Sequence, residues 1–198
     1  MRTRYIALVS SDWNECLAPC GPFDVIGFHF PELTPAIETI FRRYTANAVS
    51  LGSAIEQVAR LLPGPITAER MDAYLESAFA TYTGVPELIE ACRRRGILFM
   101  INTTGMYGYF QRVLAMRRLP PLAALSAHPM VRFENVPWGT EPYYPLREIA
   151  DKPKNTAAAA AHFHIAPGKI VLMGDSGGDG PHFQWGAQVG AHLIGCMV

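Results

Sequence analysis

The sequence predicts an α/β fold: a Rossmann-like parallel sheet sandwiched by helices, with a small helical cap inserted after the first strand. Two observations predict it. Three short apolar runs each end in small polar or acidic residues, and amphipathic helical patterns separate these runs. Apolar runs without alternation are typical of strands buried on both faces of a parallel sheet. Strands that alternate with helices indicate a sheet with helices on both faces.

The three predicted strands end in residues that can carry chemistry. The first run, YIALVSSD, ends at Asp12, and the second, ILFMINTTG, ends around Thr103 and Thr104. The third, KIVLMGDSGGD, ends in a glycine-rich turn that holds Asp175 and Asp179. Parallel strands end at one edge of their sheet, which is where ligands bind in open α/β folds. We therefore expect these five side chains to lie close together.

Helical patterns fill the intervals between the predicted strands. VPELIEACRRRG precedes the second strand, GYFQRVLAMRRL follows it, and NTAAAAAHFHIAPG precedes the third. Three more patterns separate the first two strands: TPAIETIFRRYTANAV, SAIEQVARLLPG and TAERMDAYLESAFATY. Ser53 and Glu56 form a candidate capping box in the second of these. We therefore predict two domains, an α/β core of residues 1–20 and 86–198 and a helical cap of residues 21–85.

Composition narrows the class of protein. Charged residues make up 17% of the 198 residues, hydrophobic ones 49%, and the formal net charge is zero. This balance is typical of a globular protein and argues against nucleic-acid or anionic-membrane partners held by bulk charge. The four cysteines are scattered without the spacing of a zinc site, which favours reduced thiols. With no apolar run long enough to span a bilayer, we expect a soluble, cytoplasmic protein; the sequence does not predict its oligomeric state.

The order of the motifs resembles that of the haloacid dehalogenase-like (HAD) superfamily, whose commonest members are magnesium-dependent phosphatases. The family's first motif is a nucleophilic aspartate with a second aspartate two residues on, and SDWNECL places Asp12 and Asn14 there. The family's Ser or Thr after strand two is matched by Thr103, and its lysine by Lys152 in DKPKNT. Its GDxxxD motif is matched by GDSGGD. The cap position and NTTGM are most similar to phosphoserine phosphatase and the methionine-salvage enol-phosphate phosphatases.

The resemblance implies a magnesium-dependent phosphatase that acts on a small phosphorylated metabolite through an aspartyl-phosphate. A carboxylate can attack phosphorus and divide one displacement into two. Mg²⁺ is held by hard oxygen ligands and neutralises the phosphoryl group beside that carboxylate. Asn14 would bind the metal through its backbone carbonyl, and Asp179 would orient a metal-bound water or a loop amide. The implied residues are Asp12, Asn14 and Lys152 in catalysis, Thr103, Thr104 and Gly105 on the phosphate, and Asp12, Asn14, Asp175 and Asp179 at the metal.

Lysine usage supports the lysine assignment without reference to the family. The chain has only three lysines, Lys152, Lys154 and Lys169, all in its last quarter. Lys169 opens the third predicted strand and lies at the end of the sheet away from the ligand edge. Lys152 is therefore favoured, with Lys154 as the alternative. The predicted cap has no lysine, which excludes the family's phosphonate-cleaving mechanism through a Schiff base.

The first motif departs from the family pattern. Asn14 stands where the family has the aspartate that protonates the leaving group, and an amide cannot exchange that proton. Glu15 and Cys16 replace the usual Gly-Thr. One alternative is therefore a non-catalytic HAD-like protein that binds metal and a phosphorylated ligand or a protein partner. Another is a metal-free dehalogenase-like hydrolase, although the acidic pair Asp175 and Asp179 counts against it.

Overall fold

A sheet of six strands forms the centre of the computed structural model, which describes residues 4–46, 48–134, 140 and 142–196. All neighbouring strands pair in parallel, in the order β4-β3-β2-β1-β5-β6. The strands are β1 (Ala7–Ser11), β2 (Ile97–Met106), β3 (Ala124–His128), β4 (Tyr143–Pro145), β5 (Ile170–Gly174) and β6 (His192–Gly195). The three strands predicted from the sequence are β1, β2 and β5, which lie side by side at the centre.

Helices cover both faces of the sheet, as the alternation of patterns predicted. The helices are α1 (Asp24–His29), α2 (Thr34–Thr45), α3 (Leu51–Leu61), α4 (Ala68–Ala78), α5 (Val85–Arg94), α6 (Tyr107–Ala115), α7 (Asp151–His162) and α8 (Gly180–Val189). Adjacent residues of β1 show the two faces. Leu8 belongs to the apolar cluster that includes Ala159 of α7, and Val9 to the cluster that includes Ile89 of α5. The predicted α/β fold is confirmed.

The strand register aligns β1 with β2 and β5 at the edge where the predicted site residues lie. Ser11, the last residue of β1, pairs with Ile101 of β2 and Met173 of β5. The next residue, Asp12, donates its backbone N–H to the carbonyl of Met173 across 3.0 Å. After β1 the chain continues to β2 on one side of β1, and it later returns to β5 on the other side of β1. The carboxyl edge of these strands is therefore a topological switch point.

Helices α1 to α4 occupy the insertion between β1 and α5, and polar contacts join them to the rest of the chain. Arg112 of α6 binds both carboxylate oxygens of Asp72 in α4, at 2.7 and 2.6 Å. Glu148 accepts from the amides of Leu51 and Gly52 at the start of α3, at 3.1 and 3.0 Å. The division into a core and a cap at residues 21–85 stays a prediction.

One helix start differs from the expectation. The predicted capping box of Ser53 and Glu56 is wrong, because α3 already begins at Leu51. Ser50 is the N-cap, and its hydroxyl accepts from the Ser53 amide at 3.2 Å.

None of the helices in the described part of the chain is both long and apolar enough to cross a bilayer.

Candidate active site

Three aspartates converge at the carboxyl edge of the central strands. Asp12 follows β1, Asp175 follows β5, and Asp179 lies in the short turn after it. Each offers a carboxylate oxygen, and these three oxygens lie within 4.8 Å of one another. Opposite ligands of an octahedral magnesium ion are separated by about 4 Å. The convergence expected from the parallel strands is therefore present, at a spacing close to that of one divalent cation.

Lys152 joins two of these carboxylates from α7. Its side chain is 1% exposed, and its Nζ lies 2.9 Å from Asp12 Oδ2 and 2.6 Å from Asp179 Oδ1. Burial alone would lower the pKa of Lys152, but the two carboxylates outweigh it and hold the pKa above its ordinary value. The lysine therefore stays charged at neutral pH. Lys154 is exposed and pairs with Asp151 at 3.1 Å, so the structure selects Lys152 as the lysine at this edge.

Asp179 organises the loop that carries Asp175. It is fully buried, and its Oδ2 accepts from the backbone amides of Asp175 and Ser176 at 3.2 and 3.4 Å. Gly174 makes this close approach possible, because a Cβ there would lie 2.4 Å from the Asp179 Cγ. Only a glycine at this position allows the buried carboxylate to reach both amides.

Asp175 lies in an environment that disfavours the negative charge of its carboxylate. Its Oδ1 is buried and has no hydrogen-bond partner among the described residues. Burial, followed by the negative charges of Asp12 and Asp179, raises the pKa of Asp175 to about 6. A buried carboxylate oxygen without a partner is costly, and a cation beside it would remove that cost.

The residues predicted to hold phosphate are divided between two environments. Thr103 is fully buried; its hydroxyl donates to Asn14 Oδ1 at 3.2 Å and accepts from the Gly105 amide at 3.1 Å. Asn14 in turn donates from Nδ2 to the carbonyl of Cys20 at 2.9 Å. Thr104 lines the cavity described next, which Thr103 does not. The structure thus places Thr103 as a support for Asn14 and Thr104 at the cavity.

A cavity of about 310 Å³ adjoins Asp12, Asp175 and Lys152. Its lining also includes Phe41, Tyr44 and Thr45 of α2, together with Pro22 and Ile149. Charged groups at the edge of the sheet and apolar or aromatic side chains, two of them from the inserted helix α2, therefore line the same space.

Comparison with solved structures identifies the fold. Phosphoserine phosphatase, solved as a phospho-aspartyl intermediate analogue, matches with a TM-score of 0.72 at 15% identity over 97% of this chain and 87% of that one. A HAD family hydrolase from Salmonella enterica serovar Typhi matches with a TM-score of 0.71 at 16% identity, over 99% and 69% of the two chains. The chain has the HAD-like fold. A HAD family enzyme from Bacteroides thetaiotaomicron, in complex with magnesium and inorganic phosphate, matches with a TM-score of 0.50 at 14% identity, over 96% and 93%.

The HAD-like resemblance drawn from the sequence motifs is confirmed at the level of the fold. No protein-family model and no curated protein sequence matches the chain. At identities of 14–16% the likeness concerns the fold, with a phosphoserine phosphatase-like arrangement of the chain.

Glu15 stands where the HAD motif has a glycine, and its backbone conformation is unfavourable for a residue that has a side chain. Its φ is 61°, in the left-handed region that favours glycine, and a side chain there costs about 1–2 kcal/mol. Glu15 is also one of the residues that line the cavity. The loop therefore has the backbone shape that a glycine would adopt and adds an acidic residue to the lining.

Sequence reasoning missed a buried polar network behind Lys152. Asn102 Nδ2 donates to the Lys152 carbonyl at 2.9 Å and to Thr156 Oγ1 at 3.0 Å. Thr156 Oγ1 also lies 2.8 Å from Ser10 Oγ and 2.8 Å from His182 Nε2. Burial lowers the pKa of His182 to about 3, which keeps the ring neutral. The available signal was that Ser10 and Asn102 interrupt apolar runs of strands buried on both faces.

Proposed function

We propose that the protein is a magnesium-dependent phosphatase of a small phosphorylated metabolite, with Asp12 as the nucleophile. The observation that carries the proposal is the contact of Asp12 with a buried, charged lysine, beside Asp175, whose Oδ1 has no hydrogen-bond partner among the described residues. A nucleophilic carboxylate, a cation that neutralises developing charge and a vacant acidic ligand are the groups that phosphoryl transfer requires.

The donor set at the edge fits magnesium. Asp12 and Asp175 would hold the ion through carboxylate oxygens and Asn14 through its backbone carbonyl, and these are the hard oxygen ligands that Mg²⁺ prefers. The buried Asp175 Oδ1 without a partner supports this assignment. Asp179 does not line the cavity, unlike Asp12, and its oxygens bind Lys152 and loop amides, so it would orient the loop. When bound, magnesium would polarise the phosphoryl group and offset its charge.

Asp12 is placed to attack and Lys152 to support the attack. The Trp13 amide donates to Asp12 Oδ1 at 2.7 Å, and Lys152 holds Oδ2 at 2.9 Å, which fixes the carboxylate. The carboxylate would attack phosphorus while the bond from phosphorus to the leaving oxygen breaks, with the electron pair going to that oxygen. Water would then hydrolyse the aspartyl-phosphate and regenerate Asp12. Thr104, whose side chain lines the cavity, would donate to a phosphate oxygen.

A second candidate function rests on Asn14. Its side-chain amide donates to Cys20 and accepts from Thr103, and it has no proton to give to a leaving group. The alternative is therefore a non-catalytic protein that binds magnesium and a phosphorylated ligand or a protein partner at this edge. For either function we also propose a reducing, cytoplasmic location, from the scattered positions of the four cysteines in the sequence.

The test is phosphate release from a panel of phosphorylated metabolites and aryl phosphates, with magnesium and with a chelator. We expect release that requires magnesium and is lost in Asp12→Asn. Glu87→Gln, the same chemical change on an exposed position of α5, is the control and should leave the rate unchanged. Magnesium-stabilised binding of a phosphate ester without any release would favour the non-catalytic alternative. Release in the presence of the chelator would contradict the magnesium assignment.

A further inference from the structure

We propose that the cavity selects phosphomonoesters whose leaving group is an uncharged aromatic alcohol. This rests on the phosphate site proposed above and adds the class of leaving group. Two independent observations lead to it: the composition of the cavity wall, and the chemistry of Asn14.

The apolar part of the cavity lining, here called the wall, suits a flat apolar group. Phe41 and Tyr44 come from one face of α2, and Pro22 and Ile149 complete the apolar surface. Burial raises the pKa of Tyr44 to about 12, so its ring stays neutral at physiological pH. The volume of about 310 Å³ lies at the lower end for ligand pockets. It suits a phosphate with one ring better than a large conjugate.

Among the described residues, the cavity lining offers no unpaired cation to a negatively charged leaving group. Lys152 is the only cationic residue that the described lining contains, and its Nζ already contacts Asp12 and Asp179. Neither Arg42 nor Arg43 of α2 belongs to that lining. A carboxylate on the substrate would lack a partner there.

Glu15 adds to this discrimination. This acidic residue lines the same cavity, and its backbone has a conformation that favours glycine. A like charge beside a bound anion is repulsive. The cavity therefore disfavours leaving groups that carry a carboxylate, such as that of phosphoserine.

Asn14 imposes the second requirement. Since its amide cannot protonate the departing oxygen, the bond from phosphorus to oxygen must break to give a free oxyanion, which later takes its proton from water. A phenolic oxygen, with a pKa of about 10, leaves readily in this way. An alkyl alkoxide does not, because it needs a general acid, and Asn14 cannot act as one.

Three matched substrates separate the two requirements: phenyl phosphate, 4-carboxyphenyl phosphate and benzyl phosphate. We expect kcat/KM for the carboxylated ester to fall about tenfold or more below that for phenyl phosphate, even though its phenol is the better leaving group. Benzyl phosphate keeps the ring but loses the acidic oxygen, and kcat should fall about a hundredfold or more. Equal or faster turnover of the carboxylated ester, or of phosphoserine, would overturn the proposal while leaving the phosphatase assignment intact.

The wall itself is tested by Phe41→Ala, with Phe41→Leu as a variant that keeps more volume. Phe41→Ala should lower kcat/KM for phenyl phosphate about tenfold and narrow its advantage over 4-carboxyphenyl phosphate. Phe28→Ala is the control, since Phe28 is 45% exposed and does not line the cavity. An unchanged selectivity ratio in both Phe41 variants would contradict the assigned wall.

Binding distinguishes failure of this inference from failure of the phosphatase assignment. Phenylphosphonate and 4-carboxyphenylphosphonate cannot be hydrolysed, and their Kd values can be measured by calorimetry with magnesium. At least about tenfold tighter binding of phenylphosphonate supports the inference even if no ester is turned over, in which case the catalytic proposal alone fails. Equal binding, or tighter binding of the carboxylated compound, overturns the inference.

Discussion

Replacing Asn14 by aspartate tests how the first motif limits the reaction. In the wild type, Asn14 Nδ2 donates to the Cys20 carbonyl at 2.9 Å, and Oδ1 accepts from Thr103 at 3.2 Å. In Asn14→Asp, an oxygen replaces the donating nitrogen and faces a carbonyl oxygen. The ionised form is repelled by that carbonyl, whereas the protonated form donates to it. The local geometry therefore favours a protonated Asp side chain, which is the state that a general acid needs.

The expected changes in stability and in turnover follow from the loss of one hydrogen bond and the gain of one general acid. An ionised carboxylate facing the Cys20 carbonyl should lower the free energy of unfolding by about 1–3 kcal/mol. General acid catalysis typically contributes about a hundredfold or more, so turnover of an alkyl phosphate such as benzyl phosphate should rise by that factor. Phenyl phosphate should change much less, because its leaving oxygen does not need the proton.

The assay is steady-state phosphate release in magnesium from both esters, with urea unfolding to measure stability. Asn155→Asp is the matched control, since Asn155 makes the same kind of amide contacts, to Ser126 and Pro145, outside the cavity. It should leave the ratio of the two rates unchanged. A folded Asn14→Asp variant without any gain on the alkyl ester would refute the reasoning about the missing acid.

Three further outcomes are expected. Lys152→Met should lower the free energy of unfolding by about 3–5 kcal/mol in urea, because it leaves two buried carboxylates uncompensated; the exposed Lys154→Met should change it by less than about 0.5 kcal/mol. The pKa of Asp175 is about 6 without metal, so the calorimetric affinity for magnesium should fall as the pH drops below about 6, by up to about tenfold per unit. The pKa of His128 is lowered to about 4, mainly by burial, below its unfolded value of about 6.5. Its stabilising contribution is present above about pH 6.5 and is lost as the pH falls through about 4, so His128→Gln should give a flatter pH profile of Tm.

Much of the site could be predicted because the parallel sheet converts sequence order into position. The apolar runs of β1 and β5 identified central strands, and central strands end together at one edge. Asp12 and Asp175 therefore had to lie near each other once the strands were recognised. The sequence favoured Lys152 over Lys154 but could not decide between them. They lie two residues apart near the start of α7, and it is burial that separates them.

Other features depend on contacts that no local pattern shows. The start of α3 is set by Glu148, whose carboxylate binds the amides of Leu51 and Gly52 from 97 and 96 residues away. This tertiary contact explains why the predicted capping box was wrong. Thr103 and Thr104 were both predicted at the phosphate, and neighbouring side chains alternate along a strand, so that Thr103 is buried while Thr104 lines the cavity.

The central claim is that Asp12 carries the phosphoryl group, and trapping that intermediate tests it most directly. Wild-type protein mixed with phenyl phosphate and magnesium should accumulate an aspartyl-phosphate, because Asn14 cannot serve as the base that speeds its hydrolysis. Acid quenching and peptide mass spectrometry should then locate one phosphoryl group on Asp12, absent from Asp12→Asn. A phosphoryl group on another residue, or phosphate release by Asp12→Asn at the wild-type rate, would contradict the account.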